Sequence, residues 1–324
     1  MEVLTTIAAV VLAGAALWIV AGILTQFRLA RVAEQTAAAE RDLLREKIQL
    51  LSAQRQFEKA KTELSWNGYR KFVVARKSPE CADVCSFYLA PHDGKPLPPF
   101  HPGQYLTFQL TPPGQPKPII RCYSLSDAPT HPDRYRVTIK RVPQGLSSNH
   151  FHDTIKEGDI LDVKAPGGHF YLDLTTTHPV VLIAGGVGLT PILSMLNAII
   201  ASGQRREVWF FYGVRTRDEV IQKDHLAQLP PEIHQHICAS GEPGGERVSV
   251  DLFKRLLPSN NYHFYICGPP PMMSALTADL KAWGVPDERV HFEAFGPASV
   301  KKTAPPVPAA TKCEVTFEIG RAHV

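Results

Sequence analysis

Hydrophobic and polar positions change rhythm three times along this chain. Residues 3–27, VLTTIAAVVLAGAALWIVAGILTQF, carry no charged side chain, and a run of about 20 apolar residues is long enough to cross a bilayer as a helix. From Arg28 to Leu64 there is no Pro and no Gly, and Ala, Glu, Gln, Leu, Lys and Arg predominate, which predicts one long helix. Leu29, Thr36, Leu43, Leu50, Phe57 and Leu64 recur every seventh residue, with Val32, Ala39, Glu46, Ala53 and Ala60 as the companion seam. This is a heptad pattern that Thr36 and Glu46 weaken. It reads as a dimerising stalk, making a homodimer, or as a single helix lying on the membrane or on the rest of the chain. At about 1.5 Å per residue such a stalk spans some 50 Å.

From Trp66 the texture turns to short runs of β-formers broken by Pro and Gly. Strands are expected at Arg70–Ala75, Val84–Leu89, Tyr105–Leu110, Ile119–Leu125, Arg136–Val142 and Ile160–Lys164. Many short strands with regular turns predict an antiparallel barrel. A Thr-rich linker around Leu174–Pro179 follows, and then strands and helices alternate. The expected order is strand Val180–Ala184, helix Thr190–Ser202, strand Glu207–Tyr212, helix Asp218–Leu229, strand His234–Cys238, helix Val250–Leu257, strand Tyr262–Cys267 and helix Pro270–Trp283. Alternation of this kind predicts a parallel sheet covered on both faces. The fold class is therefore all-β plus α/β behind an N-terminal transmembrane helix and helical stalk. The expected divisions are 1–27 (anchor), 28–65 (stalk), 66–175 (barrel), 176–297 (parallel α/β domain) and 298–324 (linker and the start of a further domain).

Composition changes this picture little. A chain of 324 residues with a net charge of +4 shows no basic cluster that would point to nucleic acid as a partner. The cysteines Cys81, Cys85, Cys122, Cys238, Cys267 and Cys313 include no C-x-x-C pair, so no metal site is expected, and a reduced, cytosol-facing protein fits best. Charge orients the anchor. Glu2 precedes the apolar run and Arg28 and Arg31 follow it, which puts the remainder in the cytoplasm by the positive-inside rule. A cleaved signal peptide would need a basic start and a small-residue cleavage site, and neither is present. The expected location is thus a single-pass inner (cytoplasmic) membrane protein that touches lipid through residues 3–27.

Three motifs carry the chemistry. Arg121-Cys122-Tyr123-Ser124 lies on an expected strand, where Arg121 and Tyr123 share a face and Ser124 takes the other. Gly185-Gly186-Val187-Gly188-Leu189-Thr190-Pro191 joins a buried strand to a helix. Such a junction offers a phosphate free amides and the positive end of the helix, with Thr190 as the expected cap and Pro191 in the first turn. Cys267-Gly268-Pro269-Pro270-Pro271-Met272 ends another buried strand, where ligands sit in open α/β sheets. Between the first two, Gly145-Leu146-Ser147-Ser148-Asn149 opens a short helix with amides and hydroxyls suited to a diphosphate.

In this order and spacing, from about Trp66 to Pro297, the chain resembles the ferredoxin–NADP reductase superfamily. Gly145 to Asp153 and His291-Phe292-Glu293-Ala294-Phe295-Gly296-Pro297 are similar to the flavohaemoglobin reductase module, and Gly168-His169-Phe170 matches a G-x-F run of the family. The resemblance implies an enzyme that passes hydride from NADH or NADPH to a flavin, FAD rather than FMN. It implies that Arg121 takes the flavin phosphate, Tyr123 packs on the ring and Ser124 bonds near N5, with Ile139, Lys140, Gly145, Ser147, Ser148, Asn149 and Phe295 completing the flavin site. The nucleotide falls to Gly186, Gly188, Thr190, Pro191, Arg215, Cys267, Gly268, Pro269 and Met272. Ser124, Cys267 and Glu293 are the catalytic candidates, and His150 and His152 are read as structural. Arg215 or Arg217 suits a 2′-phosphate, but Tyr212-Gly213-Val214-Arg215 also resembles NADH-using relatives, and NADH is the choice taken.

The Pro/Ala stretch 297–312 and the strand-like Cys313–Phe317 resemble the opening of a plant-type ferredoxin domain, whose C-x4-C-x2-C cysteines are absent. Residues 318–324 read as translated adapter DNA. The electron acceptor expected on this reading is a two-iron two-sulfur centre of the untruncated protein, another acceptor protein or a quinone. The alternatives are a membrane quinone or ferric-chelate reductase and a non-catalytic flavin-binding sensor.

Overall fold

The computed structural model describes residues 2–295. The Pro/Ala linker, the strand expected from Cys313 and the tail at 318–324 lie outside them, as do the side chains of Val32, Ala39, Leu43, Glu46 and Leu50 in the heptad seam. Helix α1 runs unbroken over Glu2–Leu64, through the division expected at residue 27. Among the described residues no helix is long and apolar enough to cross a membrane, so the spanning segment expected at 3–27 is not supported there, and many side chains of that run lie outside the described residues. The uncharged run is the first part of one much longer helix that carries charge throughout its remainder. Leu17, Trp18, Ile19, Val20, Ile23 and Leu24 are nonetheless all exposed. The far end of α1 rests on the barrel: the Phe57 ring lies 4.8 Å from His101, and His101 stacks on Tyr171 at 4.5 Å.

Six strands follow: β1 (Arg70–Cys81), β2 (Val84–Pro91), β3 (Tyr105–Leu110), β4 (Ile119–Ser124), β5 (Tyr135–Lys140) and β6 (Ile160–Gly167). Their order is β4-β3-β6-β1-β2-β5, and every pairing is antiparallel. The two outer strands meet through an antiparallel bridge between Leu125 and Val137, which curls the sheet into a barrel. Alternate residues point inward, and Phe72, Phe87, Phe108, Tyr135 and Phe151 fill the interior. Between β5 and β6 the chain forms α2 (Leu146–Asn149) and a single wide turn over His150–Thr154.

The second layer is β7 (Val180–Gly185), α3 (Leu189–Ser202), β8 (Val208–Val214), α4 (Lys223–Ala227), β9 (Ile233–Ala239), α5 (Val250–Leu256), β10 (His263–Cys267), α6 (Pro270–Ala282) and β11 (Val290–Glu293). The sheet order is β11-β10-β7-β8-β9, all parallel. All six residues of β7 are buried, as a central strand covered on both faces requires. The helix expected over Asp218–Leu229 shrinks to a turn at Arg217–Glu219 and the five residues of α4. Val220 and Ile221 leave the helical path to bury themselves in the core, and Gln222 reverses the chain in a left-handed conformation, φ 55°.

The two layers touch through a polar network. Ser194 on α3 donates to the Asp127 carbonyl at 2.7 Å, and Asn197 reaches the Asp127 carboxylate at 3.4 Å. From the barrel, Arg136 donates to Ser126 and, at 3.4 Å, to the Gln222 side-chain oxygen. Gln222 in turn donates to Glu80 at 2.6 Å.

Candidate functional site

A cleft of about 530 Å3 opens where β4, β5 and α2 face the carboxyl edge of the parallel sheet, well inside the usual range of about 300–1,000 Å3 for small-molecule sites. The sequence motifs converge on it. Arg121, Tyr123 and Ser124 line it from β4, Ile139 and Lys140 from β5, and Gly145, Ser147 and Ser148 from the α2 turn. Glu293 and Phe295 close it from the second domain.

Local structure explains each position. Tyr123 packs edge-on to Phe108 and Phe151 at 5.8 and 5.3 Å, and its hydroxyl shares a 2.7 Å hydrogen bond with Ser147. Burial raises the Tyr123 phenol, while the Ser147 bond and Arg121 pull it back, so it stays neutral. Arg121 is exposed at the mouth, and Lys140 pairs with Asp83 at 3.0 Å. Gly145 is required by packing: a Cβ there would fall 2.6 Å from Ser148 Oγ. Ser148 Oγ accepts from the Val142 amide at 3.1 Å, which fixes the turn. Asn149 does not line the cleft; its amide is spent on the Gly145 carbonyl at 3.0 Å. His152 Nε2 donates to the Ile139 carbonyl at 2.9 Å, and neither His150 nor His152 lines the cleft.

On the other side, Val187 and Thr190 present the start of α3 to the cleft. Thr190 does not cap that helix. The helix begins one residue earlier than expected, Gly188 takes the cap position, and the Thr190 hydroxyl donates to the Val187 carbonyl at 3.1 Å. Gly186 sits at φ +52°, a conformation that glycine adopts freely. Behind this loop, Pro269 and Met272 press on Gly185, and Gly188 presses on the Cys267–Gly268 backbone. Pro191 is buried in the first turn of α3. Arg215 is exposed at the end of β8, and Arg217 is paired with Glu242 at 3.4 Å.

Cys267 and Glu293 are register partners on β10 and β11. The Cys267 thiol is fully buried in the core around α3, and burial, then the neighbouring Glu293 carboxylate, push it up. It stays a thiol and does not line the cleft. Burial pushes the Glu293 carboxyl up to about 7. Glu293 also borders a second cavity of about 360 Å3, whose walls include Gly168, Phe170 and His291.

Tyr105 lines both cavities and was not legible as a site residue. Its signal was register: it stands directly opposite Ser124. Thr138 and Cys122, also in the lining, are further strand neighbours of the motif residues.

The donor set fits a flavin dinucleotide and a nicotinamide nucleotide. A flat apolar wall, exposed cations at the mouth, free amides at a glycine turn and a helix start on the facing side are the features these ligands need.

Comparisons with known proteins agree with this geometry. Residues 71–171 match the oxidoreductase FAD-binding domain family and residues 182–278 the oxidoreductase NAD-binding domain family. A flavohemoprotein of Halalkalibacterium halodurans is 39% identical over 252 residues, covering 72% of this chain and 61% of that protein. The chain thus spans about three fifths of that relative's length. Among solved structures, the flavohem-like FAD/NAD-binding domain of nitric oxide dioxygenase from Vibrio cholerae O1 biovar El Tor is 34% identical with a TM-score of 0.66, covering 71% of this chain and all of that one. Phthalate dioxygenase reductase, described as a modular structure for electron transfer from pyridine nucleotides to [2Fe-2S], is 31% identical with a TM-score of 0.61, over 73% of this chain and 70% of that one.

Proposed function

The chain belongs to the ferredoxin–NADP reductase superfamily as an NAD(P)H-dependent flavin oxidoreductase using FAD, and on that premise we propose that it feeds single electrons to an iron–sulfur carrier. The observation that carries the reading is the convergence of β4, the α2 turn, the start of α3 and Glu293 on one cleft. When bound, the FAD supplies the conversion from two-electron to one-electron transfer. Arg121 and the amides of the Gly145 turn would hold its phosphates, with Tyr123, Phe295 and Ser124 placed in the same cleft to receive its ring. The Gly186–Thr190 loop receives the nucleotide diphosphate, with Arg215 at the adenosine end. Cys267, through its backbone, fixes how closely that loop approaches. The acceptor class is supported by similarity to phthalate dioxygenase reductase. Anaerobic titration with NADH and NADPH, followed by oxidised [2Fe–2S] ferredoxin, a quinone or a ferric chelate, tests it. Flavin bleaching with re-oxidation fastest by the ferredoxin is expected. Faster re-oxidation by the quinone overturns the acceptor, and no bleaching by either nucleotide overturns the enzyme roles given to these residues in favour of a sensor.

The location proposed with this function is the cytoplasmic membrane, with the catalytic part on the cytoplasmic side. The exposed apolar residues Leu17 to Leu24 support it, as do Arg28 and Arg31 immediately after them. Full-length protein is expected in the membrane fraction, and a chain lacking residues 2–27 in the soluble fraction. Equal distribution of the two would remove the proposal. A homodimer through the stalk is the matching proposal for residues 28–64, tested by the mass of the detergent-solubilised chain.

Two predictions concern the cleft. Arg121→Ala removes a cation from its mouth. Charge-assisted hydrogen bonds contribute roughly 1.5–3 kcal/mol, so FAD is expected to bind at least about tenfold more weakly, read by recovery of flavin fluorescence on dilution. Unchanged retention would take the phosphate role from Arg121.

Glu293 is protonated below about pH 7 and can then donate to the nicotinamide–flavin contact. Nucleotide oxidation is expected to fall as pH rises through about 7, and the Glu293→Gln enzyme is expected to lack that step. Stability follows the same sign. The folded pKa stands above the ordinary 4.5, so the neutral form's contribution is complete below 4.5 and is lost as pH rises through about 7. The variant should therefore gain in melting temperature relative to wild type above pH 7. Parallel pH profiles for the two enzymes would clear Glu293 of both roles.

A further inference from the structure

We propose that His236, Cys238 and Glu246 form a binding site for a zinc-class divalent cation on the nucleotide domain. None of the three lines either cavity described above. His236 and Cys238 are two residues apart on β9, so their side chains leave the same face. Cys238 is buried beside Phe211 and Phe253, and His236 is partly open to solvent.

Glu246 reaches this face because the chain doubles back after β9. The Gly241 amide donates to the Arg215 carbonyl at 2.8 Å, and the Gly245 amide to the Glu242 carbonyl at 2.8 Å. Gly245 is pressed so closely on the Ala239 carbonyl that a side chain has no room there. The loop thereby delivers Glu246 Oε2 to within 3.2 Å of His236 Nε2. Arg255 on α5 holds the other oxygen, Oε1, which leaves Oε2 aimed at the histidine.

The imidazole nitrogen, thiol sulfur and carboxylate oxygen lie within 4.8 Å of one another. Zinc bonds of about 2.0–2.3 Å in tetrahedral geometry set ligand atoms roughly 3.3–3.7 Å apart, so shifts of about an ångström close the site. One nitrogen, one sulfur and one oxygen suit zinc, whereas magnesium and calcium prefer all-oxygen sets. Binding converts the Cys238 thiol to a thiolate and releases its proton to solvent. Water fills the fourth position, on the side where His236 and Glu246 are open. Arg255 then plays the outer-shell part, orienting the carboxylate through the oxygen the metal does not use. The cation would fasten the 240–249 loop to β9. The other end of that loop carries Glu242, the ion-pair partner of Arg217.

The test uses the full chain, stripped with a chelator and titrated with zinc sulfate by calorimetry, with cobalt(II) as a spectroscopic substitute. The expected result is one equivalent of zinc and a thiolate-to-cobalt charge-transfer band. Cys238→Ser should abolish the band and weaken zinc at least about tenfold, since even outer-shell changes cost roughly 10–100-fold. Glu246→Gln, which keeps the side-chain volume at a partly exposed position, should weaken zinc with little change in melting temperature, since exposed ion pairs contribute little. Absence of stoichiometric binding by the wild type overturns the site, and so does binding that survives both substitutions.

Discussion

Gly188→Val is expected to slow nucleotide-dependent flavin bleaching about a hundredfold while leaving bound flavin in place. The reason is contact between two backbones. A Cβ at residue 188 would stand 2.5 Å from the Cys267 carbonyl carbon and 2.7 Å from Gly268 Cα. Neither neighbour is the free end of a side chain, so the glycine loop and the Cys267–Gly268 turn must separate by about an ångström, toward ordinary van der Waals distance. Cys267 is fully buried and paired in register with both Ala184 and Glu293, so β10 cannot yield alone. The displacement falls on the α3 start, where Val187 and Thr190 meet the cleft. A misplacement of about 1 Å costs on the order of 10²-fold in a reaction that depends on alignment. The flavin residues all lie on the barrel side, apart from Glu293 and Phe295, so the visible spectrum should survive. Stopped-flow bleaching within threefold of wild type would show that the close approach has no catalytic consequence.

The same contact shows what could be read from sequence. Gly188, Cys267 and Gly268 were each assigned to the nucleotide from their motifs, and the strands carrying them were placed to within a residue or two, because buried strands announce themselves as unbroken apolar runs. That the two motifs touch was not legible, since their distance depends on β7 and β10 being neighbours. Barrel strands are plain in number and order, and β3 agrees end for end with its pattern, but β1 runs on from Ala75 to Cys81 and β6 from Lys164 to Gly167. The segment after β8 departs from its pattern: Asp218–Leu229 has helix-forming composition but forms only a turn and a five-residue helix. Burial of Val220 and Ile221 outweighs propensity there, as tertiary packing often does. Tyr105 and Glu246 were missed for one reason: each joins its site through pairing or a folded-back loop, and neither leaves a periodic trace. The network around Arg136 was invisible for the same cause, because its members Glu80, Asp127, Arg136, Asn197 and Gln222 come from five separate segments.

Arg136 is the charged centre of the polar contact between the domains, beside the apolar contact of Phe170 with Tyr265, and Arg136→Met is expected to cost about 2–4 kcal/mol. The side chain is 8% exposed, and its ion-pair partner Asp127 is 22% exposed at 3.6 Å. It donates to the Ser126 carbonyl and hydroxyl and to Gln222. Methionine keeps the apolar stem but leaves Ser126 and Gln222 without their donor. Breaking a buried pair typically costs about 3–5 kcal/mol, reduced here because Asn197 and the Ala128 amide still reach the Asp127 carboxylate. A loss of this size corresponds to a fall of roughly 5–15 °C in melting temperature for two domains of this length. Bleaching should also slow, because Asp127, through Ser194 and Asn197, ties α3 to the segment that follows β4. Arg136→Lys separates the two contributions. A lysine restores the charge beside Asp127 but cannot reach Ser126 and Gln222 together, since a single ammonium lacks the planar fork. Its melting temperature should recover part of the loss while bleaching stays slow. Full recovery of both by lysine would mean that charge alone holds the domains, and an unchanged melting temperature in the methionine variant would mean that the network does not hold them at all.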